Sequence, residues 1–183
     1  MLQAPRPAPE WQTTRWFNTD EPLSLAHLRG RVVVLHTFQM LCPGCVARGI
    51  PQAQRIAEIF ADAPVQVVGL HTVFEHHDVM GPDALAAFLS EYRVQFPVGV
   101  DAPADAGDPI PRTMRAYGLR GTPSVVLIDA DGRIRAQHFG TPDDLALGAA
   151  IGTLVAELGT SLPPTAPHPD RETGRCEERC DIA

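Results

Sequence analysis

"VVVLHTFQMLCPGCVARGIP", residues 32–51, decides how this chain folds. It begins as a near-continuous run of β-branched and aliphatic residues, the pattern of a strand buried on both faces. It then turns polar and sets Cys42 and Cys45 three apart, just ahead of a segment with helical periodicity over 46–61. A cysteine at a strand-to-helix junction faces unpaired backbone N–H groups and the positive end of the helix dipole. That setting favours the thiolate, which is the nucleophile. Cys45, one turn further in, is placed to attack a mixed disulfide formed at Cys42. Pro43 suits the first turn of a helix, and Gly44 allows close backbone approach. A C-x-x-C in a βαβ context is a redox signal. The same spacing also begins many tetrahedral zinc sites, which need two further ligands; the local unit offers none.

Outward from this segment the pattern is regular. Strands are expected at 31–38, 65–72, 96–100, 124–128 and 134–139, and helices at 46–61, 83–92, 112–117 and 143–158. Asp131-Gly132 marks a hairpin turn between the last two strands. Strands alternating with helices and closing on a hairpin give an α/β fold with a mixed central sheet flanked by helices. Residues 1–12 are rich in proline and read as a flexible leader, 13–160 as one domain, and 161–183 as a flexible tail of prolines and charges. The chain of 183 residues is long enough for one such domain and too short for two.

Composition narrows the function. The net charge of −7 argues against nucleic-acid binding, which needs clustered cations. There are 15 arginines and no lysine, so Schiff-base chemistry is excluded. The N-terminus lacks a basic segment followed by an apolar run, and the longest apolar runs are strand-sized. A cytoplasmic protein without a membrane partner is expected, and in a reducing cytosol a cysteine pair is catalytic, redox-sensing or metal-binding rather than a staple. The ending "CDIA" outlines a prenylation box, but Asp181 and the lack of a polybasic stretch speak against it.

A second motif, "GTPS" at 121–124, stands just ahead of a buried strand, where Pro123 fits only as the strand's first residue, in a tight turn that could be cis. With "LSLAHLRGRVVVLHTFQMLCPGC" and "GTPSVVLIDADGRI", the chain over roughly residues 15–158 resembles the thioredoxin superfamily, in its TlpA-like and redoxin branch. The resemblance implies a thioredoxin-like fold, with Cys42 as attacking thiol and Cys45 as resolving thiol. It implies that Pro123 is a cis-proline beside the disulfide, and that Thr122 offers its backbone to an extended substrate. Pro43 and Gly44 would then also border bound substrate. It implies a disulfide-containing protein or small-molecule substrate, a thiol electron donor, and no bound cofactor.

Departures from the family pattern raise their own expectations. Leu41 replaces an aromatic residue, and His36 replaces an Asp or Asn six residues before the first cysteine. His36 is either a proton relay to Cys45 or a half-buried histidine bonded to backbone. Glu75 is the nearest match to an acid that some TlpA-like proteins place near the cysteines. Pro51 comes one residue later than usual. His71, His76 and His77, with Glu75 and Asp78, fit no common ligand template and read as a solvated loop. Trp11, Trp16 and Phe17 read as packing residues. Cys176 and Cys180 in "RCEERC" would share a face of a helix, as a second dithiol relaying electrons, a metal pair or two idle thiols. A peroxiredoxin-like peroxidase is the rival within the fold, but Gln39 stands where its threonine belongs and Thr37 is five residues from Cys42. A non-catalytic redox or metal-binding module is the rival of another kind.

Overall fold

The computed structural model describes residues 2–105 and 107–160. In chain order its elements are β1 (Arg6–Pro7), β2 (Thr13–Phe17), β3 (Val32–Phe38), a π turn (Cys45–Gly49) leading into α1 (Ile50–Ile59), β4 (Val65–His71), α2 (Pro82–Glu91), β5 (Val98–Asp101), α3 (Arg112–Ala116), β6 (Ser124–Ile128), β7 (Arg133–Phe139) and α4 (Asp144–Thr160). The strands form a seven-stranded sheet in the order β1-β7-β6-β3-β4-β5-β2. β3 runs parallel to β4 and antiparallel to β6, and all seven of its residues are buried. That burial explains its unbroken apolar sequence, since no face of it meets water.

Alternate residues of β3 feed two cores. Val32, Val34 and Phe38 pack with Ala53 and Ile56 of α1, Leu85 and Leu89 of α2, and Ile151 and Leu154 of α4. Val33 and Leu35 pack with Leu25, Leu28, Met114 and Tyr117 on the other face. α3 is short, and Asp101 at the end of β5 holds it. Its carboxylate accepts from the backbone N–H groups of Thr113 and Met114 at 2.8 and 2.9 Å, and from the Thr72 hydroxyl at 2.9 Å. Those N–H groups would otherwise be orphans of the helix start.

The N-terminal leader, expected to be flexible, is instead built into the sheet. β1 pairs antiparallel with β7, and Arg6 donates to the Gln137 side chain at 2.7 Å. Pro7 cannot donate to a ladder, which suits an edge strand. Trp11 is buried, its indole N–H donating to the Tyr117 hydroxyl at 3.1 Å, while that hydroxyl donates to the Pro9 carbonyl at 2.7 Å. Trp11 and Trp16 lie with ring centroids 5.9 Å apart, so both are packing residues. β2 then crosses to the opposite edge and pairs antiparallel with β5.

Candidate active site

The end of β3 delivers the chain into the cysteine turn, and the helix begins at Pro43. The residue that displaces Pro51 by one position is taken up as the π turn, where the Ile50 N–H reaches back to the Cys45 carbonyl. Cys42 is half-buried and Cys45 fully buried, both as free thiols. The Cys45 backbone N–H donates to Cys42 Sγ at 3.3 Å, and the Cys42 thiol donates to the Thr122 carbonyl at 3.5 Å. The first of these is an orphan donor of the helix start pointed at sulfur, the contact a thiolate needs.

The Thr122–Pro123 peptide is cis, and Pro123 is buried against the cysteine helix. A Cβ on Gly44 would stand 3.4 Å from Pro123 Cδ, and one on Gly49 3.1 Å from Pro123 Cβ. Gly44 and Gly49 thus let the proline lie directly on the helix. Pro43 and Gly44 are exposed beside the dithiol, and Leu41 is 55% exposed on its rim.

Burial sets Cys45 apart in acidity as well as in access. Burial first, then the hydrogen bond with Cys42, pushes the Cys45 thiol up to about 12, while contacts from the Gln39 backbone and the Thr122 side chain act the other way. His36 lies beneath the π turn, its ring stacked on Phe38 at 6.2 Å, with no hydrogen-bond partner for Nε2 among the described residues. Burial lowers it to about 4, so it is neutral at ordinary pH. No bond from that nitrogen reaches Cys45. In place of a relay to Cys45 or a half-buried histidine bonded to backbone, the ring is fully buried and Nε2 meets no hydrogen-bond partner among the described residues.

Glu75 is exposed in the loop after β4 and touches neither sulfur. It reaches the site through Gln39, whose Nε2 donates to Glu75 Oε1 at 3.3 Å and to Thr122 Oγ1 at 3.5 Å. Gln39, 1% exposed, also accepts from the Phe74 N–H at 3.2 Å. In the sequence Gln39 reads only as the residue in a threonine's place; its role as a bridge between three loops has no signature in spacing. Thr37 is buried, its hydroxyl donating to the Ser124 carbonyl at 3.4 Å.

The histidine cluster is split apart. His71 is buried in the sheet against Phe38, with both ring nitrogens unpartnered among the described residues, while His76 and His77 are exposed. Among the described residues no three or more His, Cys, Asp or Glu side chains are grouped to hold a metal ion, and no helix is long and apolar enough to cross a membrane. Cys176 and Cys180 lie outside the described residues.

A Cys-x-x-Cys opening the helix after the central strand, faced by a cis-proline ahead of the antiparallel neighbour strand, defines a protein of the thioredoxin superfamily. The profile of the redoxin family matches residues 3–149, and the chain belongs to that family. The crystal structure of a thioredoxin-like superfamily protein matches it with a TM-score of 0.80 at 56% identity, over 86% of this chain and 99% of that one. A thiol-disulfide isomerase from Corynebacterium glutamicum matches with a TM-score of 0.78 at 52% identity, over 82% and 96%. Among curated relatives, Protein DipZ of Mycobacterium bovis is 29% identical over 154 residues, 82% of this chain but 21% of DipZ. The chain therefore spans about a fifth of that relative's length. The thiol-disulfide oxidoreductase ResA of Halalkalibacterium halodurans is 25% identical over 120 residues, 66% of this chain and 60% of ResA.

Proposed function

We propose that this protein is a thiol–disulfide oxidoreductase that cycles its Cys42–Cys45 pair between dithiol and disulfide. The observation that carries the reading is the asymmetry of the pair: a half-buried Cys42 sulfur held by a helix-start N–H at 3.3 Å, backed by a fully buried Cys45. In the reducing direction the Cys42 thiolate attacks a substrate disulfide, forming a mixed disulfide and expelling one substrate thiolate, which takes up a proton. Cys45 then gives up its proton and attacks Cys42 Sγ, expelling the second substrate thiolate. The substrate gains two electrons and two protons, the enzyme loses both as its internal disulfide closes, and an external thiol donor reduces that disulfide again. An extended substrate segment pairing with the backbone at Thr122 fits the open side of the cis-proline turn. The names of the isomerase and of ResA agree with this chemistry.

The test is equilibration with glutathione followed by mass spectrometry, using the wild type, Cys45→Ser and Cys176→Ser/Cys180→Ser. A reversible loss of two hydrogens at Cys42–Cys45, and a glutathione adduct on Cys42 trapped by Cys45→Ser, are expected. A shifted equilibrium in the tail variant would assign Cys176 and Cys180 a relay role. A pair that never forms a disulfide, or that retains zinc, overturns the reading in favour of a binding module.

A further inference from the structure

Beside the cis-proline turn lie two side chains that the thiol exchange itself does not use. A Cβ on Gly121 would stand 2.9 Å from Phe139 Cε2, so the Phe139 ring leans on the backbone next to Thr122. That ring, at the end of β7, is 57% exposed, and the Arg120 guanidinium lies over it, 5.4 Å from its centroid. A cavity of about 220 Å³ opens beside the pair, lined in part by Leu119 and Gln3. We propose that Arg120 and Phe139 form a specificity subsite for the residue two positions from the substrate cysteine, and that this subsite takes an aspartate or glutamate of an extended, disulfide-bearing protein segment. The proposal rests on the oxidoreductase reading and names the substrate class for that same site.

Cys42 Sγ lies 3.5 Å from the Thr122 carbonyl oxygen, so a substrate cysteine joined to Cys42 sits beside Thr122. The Thr122 backbone N–H bonds to nothing among the described residues, which leaves a donor open to a paired strand. Side chains of a strand alternate in direction, so the residue two from that cysteine falls alongside Arg120, itself two from Thr122. Its charge is unspent. Arg55, Arg112, Arg115 and Arg135 are held by carboxylates, whereas Arg120 is exposed and has neither ion pair nor hydrogen bond among the described residues, only the Phe139 ring. A guanidinium resting on a ring loses less freedom when a carboxylate arrives than one waving in water. Across the turn the sign changes. The sheet order β7-β6-β3-β4 sets Phe139 and Arg120 on one side of Thr122 and the Gln39–Glu75 pair on the other. The rim is therefore positive on one flank and negative on the other, a polarity that accepts an acid on one side of the substrate cysteine.

The experiment is stopped-flow reaction of the reduced full-length protein, with Cys176 and Cys180 replaced by serine, with peptides whose cysteine is held as a mixed disulfide with thionitrobenzoate. One peptide is acetyl-Asn-Ala-Cys-Ala-Asn-amide, and two others carry Asp in place of the first or the last Asn. The Cys42 thiolate attacks the peptide sulfur, thionitrobenzoate leaves with the electron pair of the broken bond and is read by its absorbance, and Cys45 then expels the peptide thiolate as Cys42–Cys45 closes. At low salt one of the Asp peptides should outrun the Asn peptide by about twofold to fivefold, the scale of an exposed ion pair, and the gain should shrink as salt is added. Taking the ratio of Asp to Asn rates within each variant cancels any change in the reactivity of Cys42 itself. Arg120→Gln should bring that ratio to unity, Arg120→Glu below unity, and Phe139→Leu should lower it. Arg93→Gln, which removes the same charge just past α2, should keep it. Asp peptides no faster than the Asn peptide in the wild type, a ratio that survives Arg120→Gln or Phe139→Leu, or one that Arg93→Gln lowers as much, overturns the proposal. A peptide that stays on Cys42 by mass spectrometry, with no Cys42–Cys45 disulfide formed, sinks the oxidoreductase reading instead.

Discussion

The imidazole of His36 occupies the space that a side chain on Gly49 would need: a Cβ there would stand 2.6 Å from His36 Cε1 and 2.8 Å from Nε2. The wide π turn and the missing side chain together admit a ring under the cysteine helix. Gly49→Ala should therefore cost about 1–3 kcal/mol, as overpacking does. Urea midpoints of Gly49→Ala, His36→Ala and the double variant check it. The double variant should be more stable than the sum of the two losses, and strict additivity would refute the contact.

His36 and His71 flank Phe38, and burial lowers both to about 4. In the unfolded chain a histidine protonates near about 6.5, so between these values the unfolded state binds more protons. Stability should thus be full above about pH 6.5 and fall as the pH drops toward 4, by about 3 kcal/mol per histidine. Urea unfolding at neutral pH and near about pH 4.5 measures the loss. His71→Leu should flatten the acid side of the curve; an unchanged acid slope would mean that His71 is protonated in the folded protein.

Cys42 and Cys45 should separate by alkylation. With Cys45 pushed up to about 12, iodoacetamide at neutral pH should label Cys42 and leave Cys45 unmodified over the same interval. Burial, the larger cause, persists in Cys42→Ser, so labelling of Cys45 there should still be accelerating near about pH 10. A plateau well below that pH would contradict the assignment of Cys45 as the protonated partner.

Tyr117 fastens the leader, its hydroxyl linked to Trp11 and to the Pro9 carbonyl at 3.1 and 2.7 Å. Tyr117→Phe leaves the indole N–H and the carbonyl unpaired and should cost about 1–3 kcal/mol. Faster proteolytic cleavage before residue 13 and a changed tryptophan fluorescence should accompany the loss. Cleavage at the wild-type rate would show that the hydroxyl does not hold the segment.

Local signals carried the central strands and the site's two motifs. β3 is an apolar run because both its faces are buried, and Cys42, Cys45 and Pro123 announce themselves by spacing and by proline's fixed geometry. What escaped the sequence depends on partners far along the chain. β1 is two residues in a proline-rich stretch, and only β7 and Tyr117 make it a strand. Gln39 joins three loops separated by up to 83 residues, a role that spacing does not encode. His71 belongs to a strand's last residue and His76 to an exposed loop, so five positions of sequence separate core from solvent.

The first 17 residues place β1 at one margin of the sheet and β2 at the other. A single short stretch of chain thus guards both open flanks against strand-to-strand self-association, the standing hazard of an uncovered edge. Both pairings are made with strands that come later in the sequence, β7 and β5, so neither margin closes until those strands are in place. Alterations made there should act on stability and self-association rather than on the dithiol chemistry.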